Sequence, residues 1–161
     1  MINPSHPQAS TMGTERSHSI LLVEDEPINV LLIRRAISKL KHAIQLKVVG
    51  NGEEAVKFLR EIRAAQMPDF LPDLVLTDIK MPRMTGIELL SWIKQQPDLM
   101  TLPVVILSSS EDPEDVNQAK QLGANSYFVR PGSAQEMVEL MRQIVTSLTS
   151  TPYSLCGFPI P

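Results

Sequence analysis

The chain has 161 residues, 43% of them hydrophobic, which suits one globular domain. Its formal net charge of −3 disfavours nucleic-acid binding, since nucleic-acid binders carry a basic surface. The single cysteine, Cys156, excludes an internal disulfide and favours a reducing compartment. The sequence lacks a long apolar stretch that would span a membrane and the pattern of a signal peptide. We therefore expect a cytoplasmic protein that binds neither nucleic acid nor membrane.

The two ends of the chain differ in composition from its centre. Residues 1–18 are rich in Ser, Pro, Thr and His without periodicity, which predicts a flexible arm. Residues 19–150 form the expected domain. Residues 151–161 hold three prolines and a glycine, and their other side chains are largely apolar. This composition disfavours a helix, and we expect the segment to pack on its own domain or on a neighbour.

Within the domain, short apolar runs alternate five times with helical patterns. The runs that predict strands are residues 20–23, 44–49, 74–77, 104–107 and 127–129. The first, third and fourth runs are nearly all apolar, as in strands buried on both faces. Helix starts are marked by Pro27, Asn51-Gly52, Gly86, Asp112-Pro113 and Ser133 with Glu136. The pattern predicts an α/β fold with a doubly wound, five-stranded parallel sheet, and ligand sites beyond the carboxyl ends of its strands.

Acidic residues follow two of these strands. Glu24, Asp25 and Glu26 come after the first run, and Asp78 comes after the third. Like charges at one edge repel unless a cation intervenes, and Mg²⁺ is usually held by one or two carboxylates with phosphate oxygens and water. We interpret Glu26, beside Pro27, as an ordinary charge at a helix start. Glu24, Asp25 and Asp78 predict a metal site, and Asp78 can act as a nucleophile toward an activated phosphoryl donor.

Two further strand ends carry polar side chains. Ser108 ends the fourth strand, and Arg130 ends the fifth, just before Pro131. A serine there is often a turn residue and an arginine is often a surface cation. Their positions at the same sheet edge favour contact with a phosphoryl group instead.

Taken together, these motifs resemble the receiver domains of two-component response regulators, over about residues 19–148. The resemblance implies a flavodoxin-like (βα)5 fold. It rests on four segments: residues 21–26, Asp78 with Met81-Pro82 and Gly86, residues 103–108, and residues 123–131.

The resemblance also implies roles for individual residues. Asp78 would accept a phosphoryl group from the phosphohistidine of a histidine kinase. Mg²⁺ would be bound by Asp25, Asp78 and the backbone carbonyl of Lys80, with Glu24 acting through water. Ser108 would move toward the phosphoryl group, and Tyr127 would be an aromatic switch that rotates inward with it. The Arg130–Pro131 peptide would be cis. Activity would be limited to self-phosphorylation and autodephosphorylation, so the protein would not be an enzyme.

A narrower similarity concerns output. The connection 64–72 and the tripeptide Asn125-Ser126-Tyr127 are similar to those of small stand-alone regulators that partner bacterial phytochromes. Few residues follow the last helix, so we expect signalling by protein contact. The expected surface is a homodimer or partner interface on the fourth and fifth strand–helix units, with the apolar tail as a possible participant.

Arg130 departs from the family, which uses lysine there. Arginine is a larger planar fork, although it can pair with phosphate bidentately. We expect phosphorylation to survive with a changed conformational output. One alternative is a receiver-fold interaction module that works without phosphorylation. Another is an aspartate-nucleophile phosphatase, but such enzymes have a second acid two residues after the nucleophile, where this chain has Lys80.

Overall fold

The computed structural model of the protein describes residues 17–150. The strands are β1 His18–Val23, β2 Ile44–Val49, β3 Leu74–Thr77, β4 Val104–Ser108 and β5 Ser126–Val129. The helices are α1 Pro27–Ser38, α2 Gly52–Ala64, α3 Gly86–Gln95, α4 Pro113–Gln121 and α5 Ala134–Ser150, and a short 3-10 turn, Pro68–Phe70, precedes β3. The predicted tail and all but the last two residues of the predicted arm lie outside the described residues. His18, assigned to the arm, instead begins β1.

The five strands form one parallel sheet in the order β2-β1-β3-β4-β5. This is the predicted doubly wound, flavodoxin-like arrangement. The strand order reverses between β1 and β3, where Val23 pairs with Thr77. The residues that follow these two strands therefore begin side by side, at the switch point where such sheets bind ligands.

Two apolar layers cover the sheet. One contains side chains of α1 and α5 with Leu22, Leu76 and Leu107, and the other contains side chains of α2, α3 and α4 with Val23, Val75 and others. Strands β1, β3 and β4 contribute to both layers, as their continuous apolar runs predict. This double burial fixes the register of the three strands whose carboxyl ends carry acidic or hydroxyl groups.

The start of α3 lies directly against the end of β3. A Cβ atom on Gly86 would lie 1.9 Å from the carbonyl oxygen of Asp78, so only glycine permits this approach. The Gly86 amide also donates to the Ile79 carbonyl at 3.0 Å, and Thr85 and Glu88 form a capping box at the helix start. The loop that carries Asp78 is thereby held at both ends.

The predicted cis peptide at Arg130–Pro131 is wrong, because no peptide bond within residues 17–150 is cis. A trans bond is favoured before proline by about 0.5–1 kcal/mol unless tertiary contacts impose the other isomer. Here the Arg130 amide donates to the Ser108 carbonyl at 2.8 Å with the trans bond in place.

No helix in the described part of the chain is long and apolar enough to cross a membrane.

Candidate functional site

Three carboxylates meet beyond β1 and β3. Glu24, Asp25 and Asp78 each offer one oxygen, and these oxygens lie within 4.8 Å of one another. Glu24 and Asp78 are buried, whereas Asp25 is exposed. Hard oxygen donors gathered this closely are suited to a divalent cation such as Mg²⁺, with room for water on the exposed side. The Glu26 amide donates to Glu24 Oε1 at 3.1 Å, but the Glu26 side chain, at the N-cap of α1, instead accepts a hydrogen bond from Asn29 at 3.1 Å.

The backbone around Asp78 orients its carboxylate. Oδ1 accepts a hydrogen bond from the Ile79 amide at 2.7 Å, and the Asp78 amide donates to the Val23 carbonyl at 3.2 Å. The other oxygen, Oδ2, lies 3.5 Å from the guanidinium of Arg130. One oxygen of the carboxylate is therefore anchored, while the other faces a cation.

Arg130 extends from the end of β5 into the acidic group. Its Nη2 donates to Glu24 Oε2 at 2.8 Å, and the side chain is 16% exposed. Its Nε is buried and has no hydrogen-bond partner. A buried donor without an acceptor is costly, by about 1–3 kcal/mol. An anion that reaches the guanidinium would remove that cost.

Burial raises the pKa of Glu24 above its ordinary value. The amide of Glu26 and the charge of Arg130 lower this pKa, and the charge of Asp78 raises it. The net rise means that Arg130 does not fully compensate the buried negative charge. A divalent cation beside Glu24 would lower its pKa and favour the charged carboxylate.

A hydrogen-bonded group of neutral side chains lies beside the acids, at the ends of β4 and β5. Ser108 is fully buried, and its Oγ accepts from the Ser110 amide at 3.3 Å. The Tyr127 hydroxyl donates to the Ser110 carbonyl at 2.8 Å. The Tyr127 ring is fully buried, so it already lies inward. Its pKa is raised, mainly by this burial.

The structure thus brings Glu24, Asp25, Asp78 and Arg130 together, and places Ser108 and Tyr127 in the adjoining network. Lys80 is exposed, and the role of its backbone carbonyl stays a prediction.

Sequence reasoning missed Asp115, which accepts a 2.5 Å hydrogen bond from the Ser110 hydroxyl. It also missed the direct Glu24–Arg130 pair. The Glu24–Arg130 pair leaves no sequence signal because its partners are 106 residues apart. Ser110 and Asp115 are near in sequence, but their contact depends on the conformation of the loop between β4 and α4.

The chain belongs to the response regulator receiver domain family, whose model matches residues 20–142. In this family, acceptance of a phosphoryl group is the common property. The fold and the acidic edge are therefore those of a signalling protein of two-component systems.

Among curated proteins, the chain is 33% identical over 125 residues to the probable methanogenesis regulatory protein FilR2 of Methanothrix harundinacea, covering 78% of this chain and 79% of that one. It is 30% identical over 125 residues to response regulator Rcp1 of Synechocystis sp., covering 78% and 84%.

Two solved structures extend the similarity. The phosphorylated cyanobacterial phytochrome response regulator RcpA superposes with a TM-score of 0.75 at 28% identity, covering 90% of this chain and all of that one. The Mn²⁺-bound form of Rcp1 superposes with a TM-score of 0.73 at 28% identity, covering 89% and 99%.

Proposed function

We propose that the chain is a response regulator whose Asp78 receives a phosphoryl group from the phosphohistidine of a sensor histidine kinase. A carboxylate oxygen of Asp78 attacks phosphorus and forms a P–O bond. The P–N bond breaks, and the imidazole leaves with the electron pair. The observation that carries this proposal is the group of three carboxylate oxygens within 4.8 Å of one another, with Asp78 at the switch point of the sheet.

The same carboxylates support a magnesium site. Asp25, Asp78 and the backbone carbonyl of Lys80 would bind the ion directly, and Glu24 would contact it through water. When bound, Mg²⁺ neutralises charge on the transferring phosphoryl group. The donor set of this chain fits a hard divalent ion, and the similar protein Rcp1 has a solved Mn²⁺-bound form.

Arg130 would contact the phosphoryl group as a bidentate donor. Its Nη2 is held by Glu24 at 2.8 Å, and its buried Nε has no hydrogen-bond partner. A cation beside Glu24 would compete with this pair and free the guanidinium. Nε and Nη2 could then pair with two phosphoryl oxygens, which a lysine ammonium cannot match in the same fixed geometry.

Ser108 and Tyr127 would transmit the effect of phosphorylation at Asp78 to the loop between β4 and α4. A movement of the Ser108 side chain toward the phosphoryl group would stretch the 3.3 Å hydrogen bond that its Oγ accepts from the Ser110 amide. The Ser110 carbonyl accepts from Tyr127, and the Ser110 hydroxyl donates to Asp115 of α4. The loop between β4 and α4 therefore connects the phosphoryl site to both the aromatic ring and the helix.

The β4–α4 and β5–α5 units are the proposed output surface, used by a homodimer or a partner complex. Within α4 only Ala119 is buried, so this helix is weakly anchored and can shift at low cost. The similarity to RcpA, a cyanobacterial phytochrome response regulator, supports a phytochrome-type kinase as partner. The proposed phytochrome-type partner rests on this relative, and the predicted cytoplasmic location rests on the composition of the chain.

A second candidate is a receiver-fold interaction module that works without phosphorylation. The Glu24–Arg130 ion pair favours it, because the guanidinium already occupies the acidic group and pairs with two of its members. The two functions differ in whether Asp78 remains reactive.

Intact mass after incubation of the full chain with Mg²⁺ and acetyl phosphate tests both candidates. We expect a mass gain of one phosphoryl group that is absent in Asp78→Asn. Asp69→Asn is the matched control, since Asp69 is an exposed acid in the 3-10 turn. Arg130→Lys should still be phosphorylated, with a shorter-lived adduct. A folded parent protein that gains no mass would leave the interaction module as the function.

A further inference from the structure

The edge of the sheet opposite the phosphoryl site exposes large apolar side chains. Met67 and Phe70, just before β3, are 47% and 64% exposed, and Met100, just before β4, is 53% exposed. The Arg63–Asp98 ion pair, 2.6 Å from Nε to Oδ2, connects the end of α2 to the segment that carries Met100. Large exposed apolar side chains that collect at one place mark interaction surfaces.

A cavity of about 270 Å³ lies at this edge. Its lining is apolar apart from one carboxylate: Phe58, Glu61, Ile62, Ala65, Met67 and Phe70. Because nearly all of the lining is hydrocarbon or aromatic, the cavity is suited to uncharged apolar side chains rather than to an ion or a polar metabolite.

Helix α5 ends at the same edge. It follows β5 and runs back across the sheet, so its last residue, Ser150, lies toward the strand starts. Ile144 and Leu148 pack in the same layer as Leu74, the first residue of β3. Phe70 lies only four residues before Leu74. The chain that continues after Ser150 therefore starts at the same edge of the sheet as the cavity, from the face opposite to α2.

The segment 151–161 has the composition that such a cavity requires. It contains no charged side chain and carries four large apolar ones, Tyr153, Leu155, Phe158 and Ile160. Eleven extended residues reach roughly 35 Å, several times the 10–12 Å diameter of a helix. This length is sufficient to pass around the sheet edge to the cavity.

We propose that the protein's own segment 151–161, here called the tail, binds in the cavity beside the 3-10 turn and covers Met67 and Phe70. Attachment to α5 gives the tail a high effective concentration at this site, which favours intramolecular binding over binding to a second copy. The contact is on the edge away from Asp78, so it does not depend on phosphorylation.

Cys156 allows a direct test in the full chain, because it is the only cysteine and lies within the tail. We would attach a nitroxide there, dilute the ¹⁵N-labelled product with unlabelled protein, and record paramagnetic broadening of backbone amides. The expected result is strong broadening at Phe58, Met67 and Phe70, and its loss in Phe70→Ser. Ile28→Ser is the control and should retain the broadening, since Ile28, on α1, is an apolar residue of similar exposure (57%).

Two results would overturn the proposal. One is weak broadening spread over the whole domain, or centred on α1. The other is broadening of ¹⁵N-labelled protein by a separate, nitroxide-carrying copy at natural isotope abundance, at strength equal to the intramolecular sample. That second result would assign the cavity to the tail of another copy.

Discussion

Each edge of this sheet has an ion pair between an arginine and a carboxylate, and the two pairs differ in how far they are exposed to water. At the carboxyl edge, Arg130 pairs with Glu24, with side chains 16% and 2% exposed. At the amino edge, Arg63 pairs with Asp98, with side chains 30% and 53% exposed. The first pair is largely removed from water and the second is not. A desolvated charge needs its partner far more than a solvated one, so the carboxyl edge is sensitive to anything that adds or removes a cation.

The largest expected effect comes from Gly86→Ala, which would disrupt the backbone of the carboxyl edge. Its Cβ would meet the Asp78 carbonyl at 1.9 Å, and backbone cannot yield as a side chain can. We expect a loss of about 3 kcal/mol or more in the free energy of unfolding, together with loss of phosphorylation.

Gly132→Ala is the matched control for this substitution. No atom lies within 4 Å of its added Cβ, so urea denaturation should give a change within about 0.5 kcal/mol. Equal stability of the two variants would contradict the close approach at Gly86.

A smaller effect is expected from removing one cation at each edge. Arg130→Met leaves Glu24 buried without its ion pair, and should cost about 2–3 kcal/mol in the absence of divalent metal, less than a fully buried pair because Asp25 keeps the site open to water. Arg63→Met breaks an exposed pair and should cost about 0–1 kcal/mol.

Adding Mg²⁺ sharpens this comparison. The ion should recover much of the stability lost in Arg130→Met and none of that lost in Arg63→Met, as measured by chemical denaturation with and without chelator. If Mg²⁺ affected both variants alike, the charge balance inferred at the carboxyl edge would be wrong.

The smallest effect is on the pH dependence of stability. The folded pKa of Glu24 is raised above its ordinary value of 4.5, so ionisation favours the unfolded chain. The contribution of Glu24 is fully present below pH 4.5 and is lost as the pH rises through its folded pKa. Without metal, the parent should lose stability relative to Glu24→Gln over that window, by about 1.4 kcal/mol for each pH unit between the unfolded and folded pKa of Glu24.

The control for this measurement is Glu136→Gln, an exposed acid in the first turn of α5. The difference in the free energy of unfolding between the parent and this variant should not change across the pH range in which Glu24 titrates. A constant difference between the parent and Glu24→Gln from about pH 4 to 7 would contradict the raised pKa.

Local patterns predicted the strands because burial leaves a signature in the sequence: β3 is buried along its whole length, whereas β2 alternates between half-buried and exposed side chains. The runs 44–49 and 74–77 coincide with β2 and β3. Asp112 caps α4 by accepting from the Glu114 amide at 2.9 Å, as its position before Pro113 predicts. The 3-10 turn before β3 was not predicted, since Pro68 lies in a connection without helical or strand periodicity, which is compatible with many irregular conformations.

The site was predictable only as far as strand ends reveal it. Acids after β1 and β3 lie at the same edge once the sheet is parallel, and they lie side by side because β1 and β3 are neighbouring strands. No pattern in the sequence indicates how an individual side chain is oriented at that edge. The inward position of Tyr127, the Ser110–Asp115 bond and the trans bond at Pro131 depend on neighbours from other elements.

The sequence by itself determined the alternation of strands and helices, the family, and the collection of Glu24, Asp25, Asp78, Ser108 and Arg130 at one edge. These follow from hydrophobic periodicity and from the geometry of parallel strands, which depend on local order in the chain. Tertiary structure decided how charge is distributed there: Arg130 bonds to Glu24 at 2.8 Å and lies 3.5 Å from Asp78. That choice depends on burial and on the distances between side chains of β1, β3 and β5, which no single segment of the sequence specifies.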